Sequence, residues 1–103
     1  MLKVKAGVQP PLIYIVAAIA NVSERRAITI TITSGLDGKH SEWSGHYQLR
    51  CVDARSKGFS KNDKEMIRAD IERELKMMLP VRRIYVGLHD AGNRNEHFHV
   101  QFK

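Results

Sequence analysis

His97-Phe98-His99-Val100-Gln101-Phe102 alternates polar and apolar side chains. A period of two is the mark of a strand with one face in a core and the other outside it. Phe98, Val100 and Phe102 therefore belong to the core face, and His97, His99 and Gln101 point to whatever lies across the sheet. Residues 90–95 carry Gly and Asn between Asp90 and Asn95 and read as a turn, and residues 83–88 before them read as a strand. The chain thus closes on two strands joined by a turn.

The clearest helix lies just upstream. Ser60 is a natural N-cap with Asp63 three residues on, Ile67, Ile71, Leu75 and Met78 follow at helical spacing, and Pro80 stops the run. Met66, Met77 and Met78 read as flexible filler of the core. Lys64, Arg68, Glu72 and Lys76 read as a solvated face. Residues 27–33 alternate strictly, with Ile28, Ile30 and Ile32 on one face and threonines on the other, which predicts a half-buried strand. Residues 51–55 predict a short second strand. Between these two, residues 34–38 are turn formers, and residues 39–46 hold two His and no period, as expected of an exposed loop.

The apolar run 12–20, introduced by Pro10 and Pro11 and preceded by Lys3 and Lys5, admits two readings. A basic start, an apolar centre and the small-residue ending at Ala18 and Ala20 fit a signal peptide. Proline in the first turn and a stripe of Leu12, Ile15, Ile19 and Val22 fit a helix. The helix is preferred, because the run is too short to span a membrane and a small domain can hardly spare its N-terminal core element. The expected fold is a single small α+β domain over residues 1–103, a mainly antiparallel sheet with two helices.

With 103 residues the chain has room for one modest core and one site. Its net charge of +6 favours polyanionic surroundings. The cations are scattered, with pairs at Arg25-Arg26 and Arg82-Arg83, and lack the interleaved aromatics of a single-strand binder, so nucleic acid is not the expected partner. The single Cys51 allows neither an internal disulfide nor a thiolate metal site, which leaves His and carboxylate as ligands for any metal.

Such a set is available. A catalytic zinc takes three His or carboxylate ligands and keeps one position open. His46 and Asp53 stand seven apart and Glu96 and His99 three apart. An odd separation puts His46 and Asp53 on opposite faces of a straight strand, so a bend or bulge between them is required. Given that bend, His46, Asp53 and His99 would be the ligands. Glu96 would be the base that deprotonates water and later protonates the leaving amine.

The segments Thr33 to His40, Ser44-Gly45-His46-Tyr47, Val52-Asp53-Ala54-Arg55 and Glu96-His97-Phe98-His99 resemble, in that order, the zinc D-alanyl-D-alanine carboxypeptidases and dipeptidases that share a fold with the hedgehog signalling domain and include phage endolysins. The resemblance implies Zn2+ on His46, Asp53 and His99, Glu96 as catalytic base, and His97 as a contact to the metal's neighbours or to the transition state. It implies cleavage of peptidoglycan stem peptides. Candidate substrate contacts are Lys39, His40, Ser44, Tyr47, Arg50 and Arg55. His89 reads as a structural residue after its strand.

The sequence departs from the family pattern in having no Gly between His46 and Asp53 and no Arg soon after the Ser-Gly. That motivates one alternative, a catalytically weakened peptidoglycan-binding or phage structural protein of the same fold. A basic nucleic-acid-binding domain is the other. A monomer is expected, placed in the cytoplasm or with a phage, or secreted if residues 1–20 act as a signal peptide.

Overall fold

The computed structural model describes residues 2–4, 12–34 and 51–103. In chain order the elements are β1 (Leu2–Val4), α1 (Ile13–Arg26), β2 (Ile30–Ser34), β3 (Cys51–Arg55), α2 (Lys61–Met78), β4 (Ile84–His89) and β5 (His97–Phe102). They form a five-stranded sheet in the order β1-β2-β3-β5-β4. Every pairing is antiparallel except β1 with β2, which run parallel with α1 as the connection between them. The fold is α+β, as expected. Strand β1 is an addition to the sequence reading, because three residues carry too little pattern to declare a strand.

The alternation of β5 sets the two faces of the sheet. Phe98, Val100 and Phe102 are buried with Val52 and Ala54 of β3, Val86 of β4 and Ile30 and Ile32 of β2. Both helices close over this face. From α1 and its N-cap come Leu12, Ile15, Ile19 and Val22, and from α2 come Ile67, Ile71 and Leu75, all at most 1 % exposed. The run 12–20 is thus an N-terminal core element, the helix predicted from its stripe.

Local chemistry ends each helix where the sequence suggests. The Ser60 hydroxyl accepts from the Asp63 backbone N–H at 3.1 Å. Ala27 ends α1 in the left-handed region at φ 55°, and its N–H reaches back to the carbonyls of Glu24 and Ser23. The methionines divide. Met78 packs against the core, whereas Met66 and Met77 are 44 % and 72 % exposed, a correction that follows from their lying off the stripe of Ile67, Ile71 and Leu75.

Several charged residues have structural partners rather than a purely solvated role. Arg25 pairs with Glu74, and Arg26 meets Asp70 at 2.6 Å, tying α1 to α2. Asp70 also accepts from Arg73 at 3.0 Å. Removing one partner would leave a buried carboxylate exposed to its desolvation cost. Arg68 donates to the carbonyl of Val86 at 3.1 Å, occupying a backbone acceptor on the edge strand β4. Among the described residues, no helix is long and apolar enough to cross a membrane.

Candidate metal centre on the open face of the sheet

Strand register brings the polar residues together on the face opposite the helices. On β3 and β5, Asp53 stands opposite His99 and Arg55 opposite His97. On β4 and β5, Gly87 stands opposite His99 and His89 opposite His97. Directly opposed residues share a face of the sheet, so three strands contribute to one cluster.

The contacts within it are short. The Nδ1 of His99 lies 2.8 Å from Oδ1 of Asp53, and its Nε2 lies 2.9 Å from Oε1 of Gln101. The Nε2 of His97 lies 3.7 Å from the same Asp53 oxygen. His89 stacks on His99 with ring centroids 4.4 Å apart and planes 12° apart, and meets the His97 ring edge-on at 5.4 Å. Tyr85 borders both, at 5.7 Å from His89 and 6.3 Å from His99. Gly87 makes room for it, since a Cβ at that position would overlap the Tyr85 ring.

Position 53 is further tied into the sheet by β2. The β2–β3 register shifts between Ile32 and Ser34, leaving Ser34 opposite Asp53, and the Thr33 hydroxyl donates to the Asp53 carbonyl at 3.4 Å. This irregularity lies on the strand beside Asp53. The bend expected between His46 and Asp53 lies outside the described residues.

The cluster's electrostatics follow from these contacts. The hydrogen bond to Asp53 holds the His99 imidazole above its ordinary pKa, against an opposing effect of burial and with help from Gln101. Burial, followed by the neighbouring His99 and His97, pushes His89 down. Burial, with Asp53 nearby, raises the Cys51 thiol to about 11. Cys51 therefore stays a thiol at neutral pH, and the native protein is expected to react with a thiol reagent at pH 8 only as fast as it unfolds. Labelling that runs at the rate of a small-molecule thiol would contradict this.

Glu96 sits differently. It precedes β5 and shares the parity of Phe98, which turns it toward α2. Its carboxylate accepts from the Ser56 hydroxyl at 2.8 Å and from the Gly92 N–H at 2.9 Å, and pairs with Lys64 at 2.5 Å. Lys64, then Gly92 and Ser56, lower its pKa from 4.5 to about 2. The carboxylate thereby ties the 90–96 turn to β3 and α2. A depressed acid contributes stability that is present above pH 4.5 and lost as pH falls through about 2. Wild type is thus expected to melt higher than Glu96→Gln at pH 7, with the gap closing toward pH 2. A gap that stays constant in melting curves across that range would show that the charge is not responsible.

Of the residues singled out from sequence, Asp53, His97 and His99 come together. Arg55 is exposed on the rim of an open cleft of about 460 Å3, also lined by Thr33, Asp53, Arg94, Glu96 and His97. His46, Lys39, His40, Ser44, Tyr47 and Arg50 lie outside the described residues. His89, expected as a structural residue after its strand, lies in the cluster. Counting by twos from Tyr85 puts it on the same face, a signal hidden because the strand predicted over 83–88 stops one residue short.

The cluster can hold a metal ion. Donor atoms of His89, His97 and His99 all lie within 4.8 Å of one another. Two donors on a tetrahedral ion are about 3.3 Å apart when each bond is near 2.0 Å. The Asp53 oxygen lies 3.7 Å from His97 Nε2, near that spacing, and 2.8 Å from His99 Nδ1, a hydrogen-bond distance that would open slightly if both atoms held one ion. No protein-family model, curated protein or solved structure matches the chain.

Proposed function

We propose that the chain is a zinc-dependent peptidase hydrolysing bonds of bacterial cell-wall stem peptides, of the D-Ala-D-Ala or L,D type, on a hedgehog-like peptidase fold. The observation that supports this reading is the meeting of Asp53 and His99 at 2.8 Å. These residues come from the two separate halves of the paired motif, and they meet beside an open cleft.

Asp53 and His99 would hold the ion together with His46. Bound zinc would supply Lewis-acid polarisation of the scissile carbonyl and of the attacking water. Gln101, accepting from Nε2 of His99 at 2.9 Å, would keep that ring in the tautomer whose Nδ1 faces the ion beside Asp53. Arg55, exposed at the cleft rim, would pair with a carboxylate of the peptide. Glu96, in the cleft wall, would take and return the proton once its carboxylate leaves Lys64. While Lys64, Ser56 and Gly92 hold it, an acid with a pKa of about 2 is a weak base at neutral pH.

That engagement of Glu96 favours a second reading, a catalytically weakened protein of the same fold that binds cell-wall peptide or serves as a phage structural part. Incubation with purified muropeptides, with and without chelator, followed by mass spectrometry, separates the two. Chelator-sensitive loss of a defined fragment supports the peptidase and names the bond. Muropeptide binding without turnover supports the second reading, and neither binding nor turnover rejects both.

A further inference from the structure

We infer that His89, reaching in from the edge strand β4, is a metal ligand and holds a divalent transition ion together with His97 and His99. This deepens the reading of the open face as a metal centre, and the set differs from the one implied by the resemblance, which takes nothing from β4.

Two observations support it. The donor atoms of these histidines lie within 4.8 Å of one another, which register alone accounts for, with His89 opposite His97 and His99 two residues further along β5. His97 is already set as a ligand. Its Nδ1 lies 2.8 Å from the Asn95 carbonyl, and a carbonyl only accepts, so the proton is on Nδ1 and Nε2 presents its lone pair to the cluster. Metal-bound imidazoles are held in their ligating tautomer by such a contact on the other nitrogen.

Ring positions show what ligation would change. Two imidazoles on one tetrahedral ion have centroids about 5 Å apart. The His89–His97 and His97–His99 separations of 5.4 and 6.2 Å are near that value. The His89–His99 pair is closer and nearly parallel, so His89 must turn out of the stack to ligate, and His99 must exchange one of its two contacts, to Asp53 or to Gln101, for the ion. Imidazole donors select Zn2+, Co2+, Ni2+ or Cu2+ over Mg2+ and Ca2+.

The test is a Zn2+ titration of the full chain against a chromophoric chelator, with Co2+ as a spectroscopic probe. His89→Ala is expected to weaken Zn2+ binding about tenfold or more and to alter the visible Co2+ spectrum, with Mg2+ and Ca2+ failing to compete. His89→Gln is expected to behave in the same way and decides the matter if the alanine variant does not fold. Wild-type affinity and an unchanged Co2+ spectrum in a folded His89 variant overturn the inference. An Asp53→Ala arm distinguishes it from the proposed function. Loss of binding there with none in the His89 variants sinks the inference alone, and the reverse pattern sinks Asp53 as a ligand while supporting His89. Wild type that binds no Zn2+ sinks both.

Discussion

Phe98→Ala is expected to lower the thermal midpoint by roughly 12 to 40 °C. Phe98 is fully buried, on the strand that lies between β3 and β4, and contacts the common core of both helices and the sheet. Truncating a buried Phe to Ala costs about 3–5 kcal/mol, and in a domain of this size each kcal/mol moves the midpoint by about 4–8 °C. Total stabilities of about 5–15 kcal/mol leave such a variant near its unfolding threshold. His97→Ala, one residue away on the other face, removes no core volume and should cost under about 1 kcal/mol. Melting curves of the two variants test the orientation of β5 directly. Equal shifts would mean that the sheet does not present the Phe face to the helices.

The same alternation explains how much of the molecule was legible beforehand. A period of two in β2 and β5 and a period near four in α1 and α2 survive in the fold because each is imposed by a face that must be buried. The N-cap at Ser60 and the stop at Pro80 are local chemistry and are equally readable. What was not legible is non-local or too short to carry a period. Strand β1 exists through pairing with β2, which no three-residue pattern announces. Arg25 and Arg26 looked like free charge until Glu74 and Asp70, more than forty residues away, supplied their partners.

The candidate site shows the same division. Asp53 and His99 could be nominated from motif spacing, but their apposition depends on β3–β5 register. Glu96 is suggested by its distance along the chain from His99. Spacing of three is an odd number on a strand, and parity carries Glu96 to the side of Phe98, where Lys64 and Ser56 meet it. His89 is hidden for the complementary reason, since its place at the very end of β4 puts it just beyond the strand that the sequence predicts.

Asp53→Ala should have the largest effect on the chemistry. If Asp53 is a ligand, its removal takes away one donor and the negative charge beside His99. Loss of an outer contact to a metal ligand costs about 10- to 100-fold in affinity or activity, so loss of the ligand itself should cost about 100-fold or more in both Zn2+ affinity and muropeptide turnover. Asp53→Asn separates the two contributions. The amide oxygen can still accept from His99, so the fold and ring orientation are retained, but the carboxylate's charge is gone and metal affinity should still fall. On the proposed peptidase reading, Arg55→Ala, on the neighbouring cleft rim, should leave metal content unchanged and raise KM with little change in kcat, because there it would contact the peptide and not the ion. Metal analysis, circular dichroism and muropeptide kinetics on the three variants check these outcomes. Full metal content and full turnover in Asp53→Ala would end the case for a zinc site built on β3 and β5.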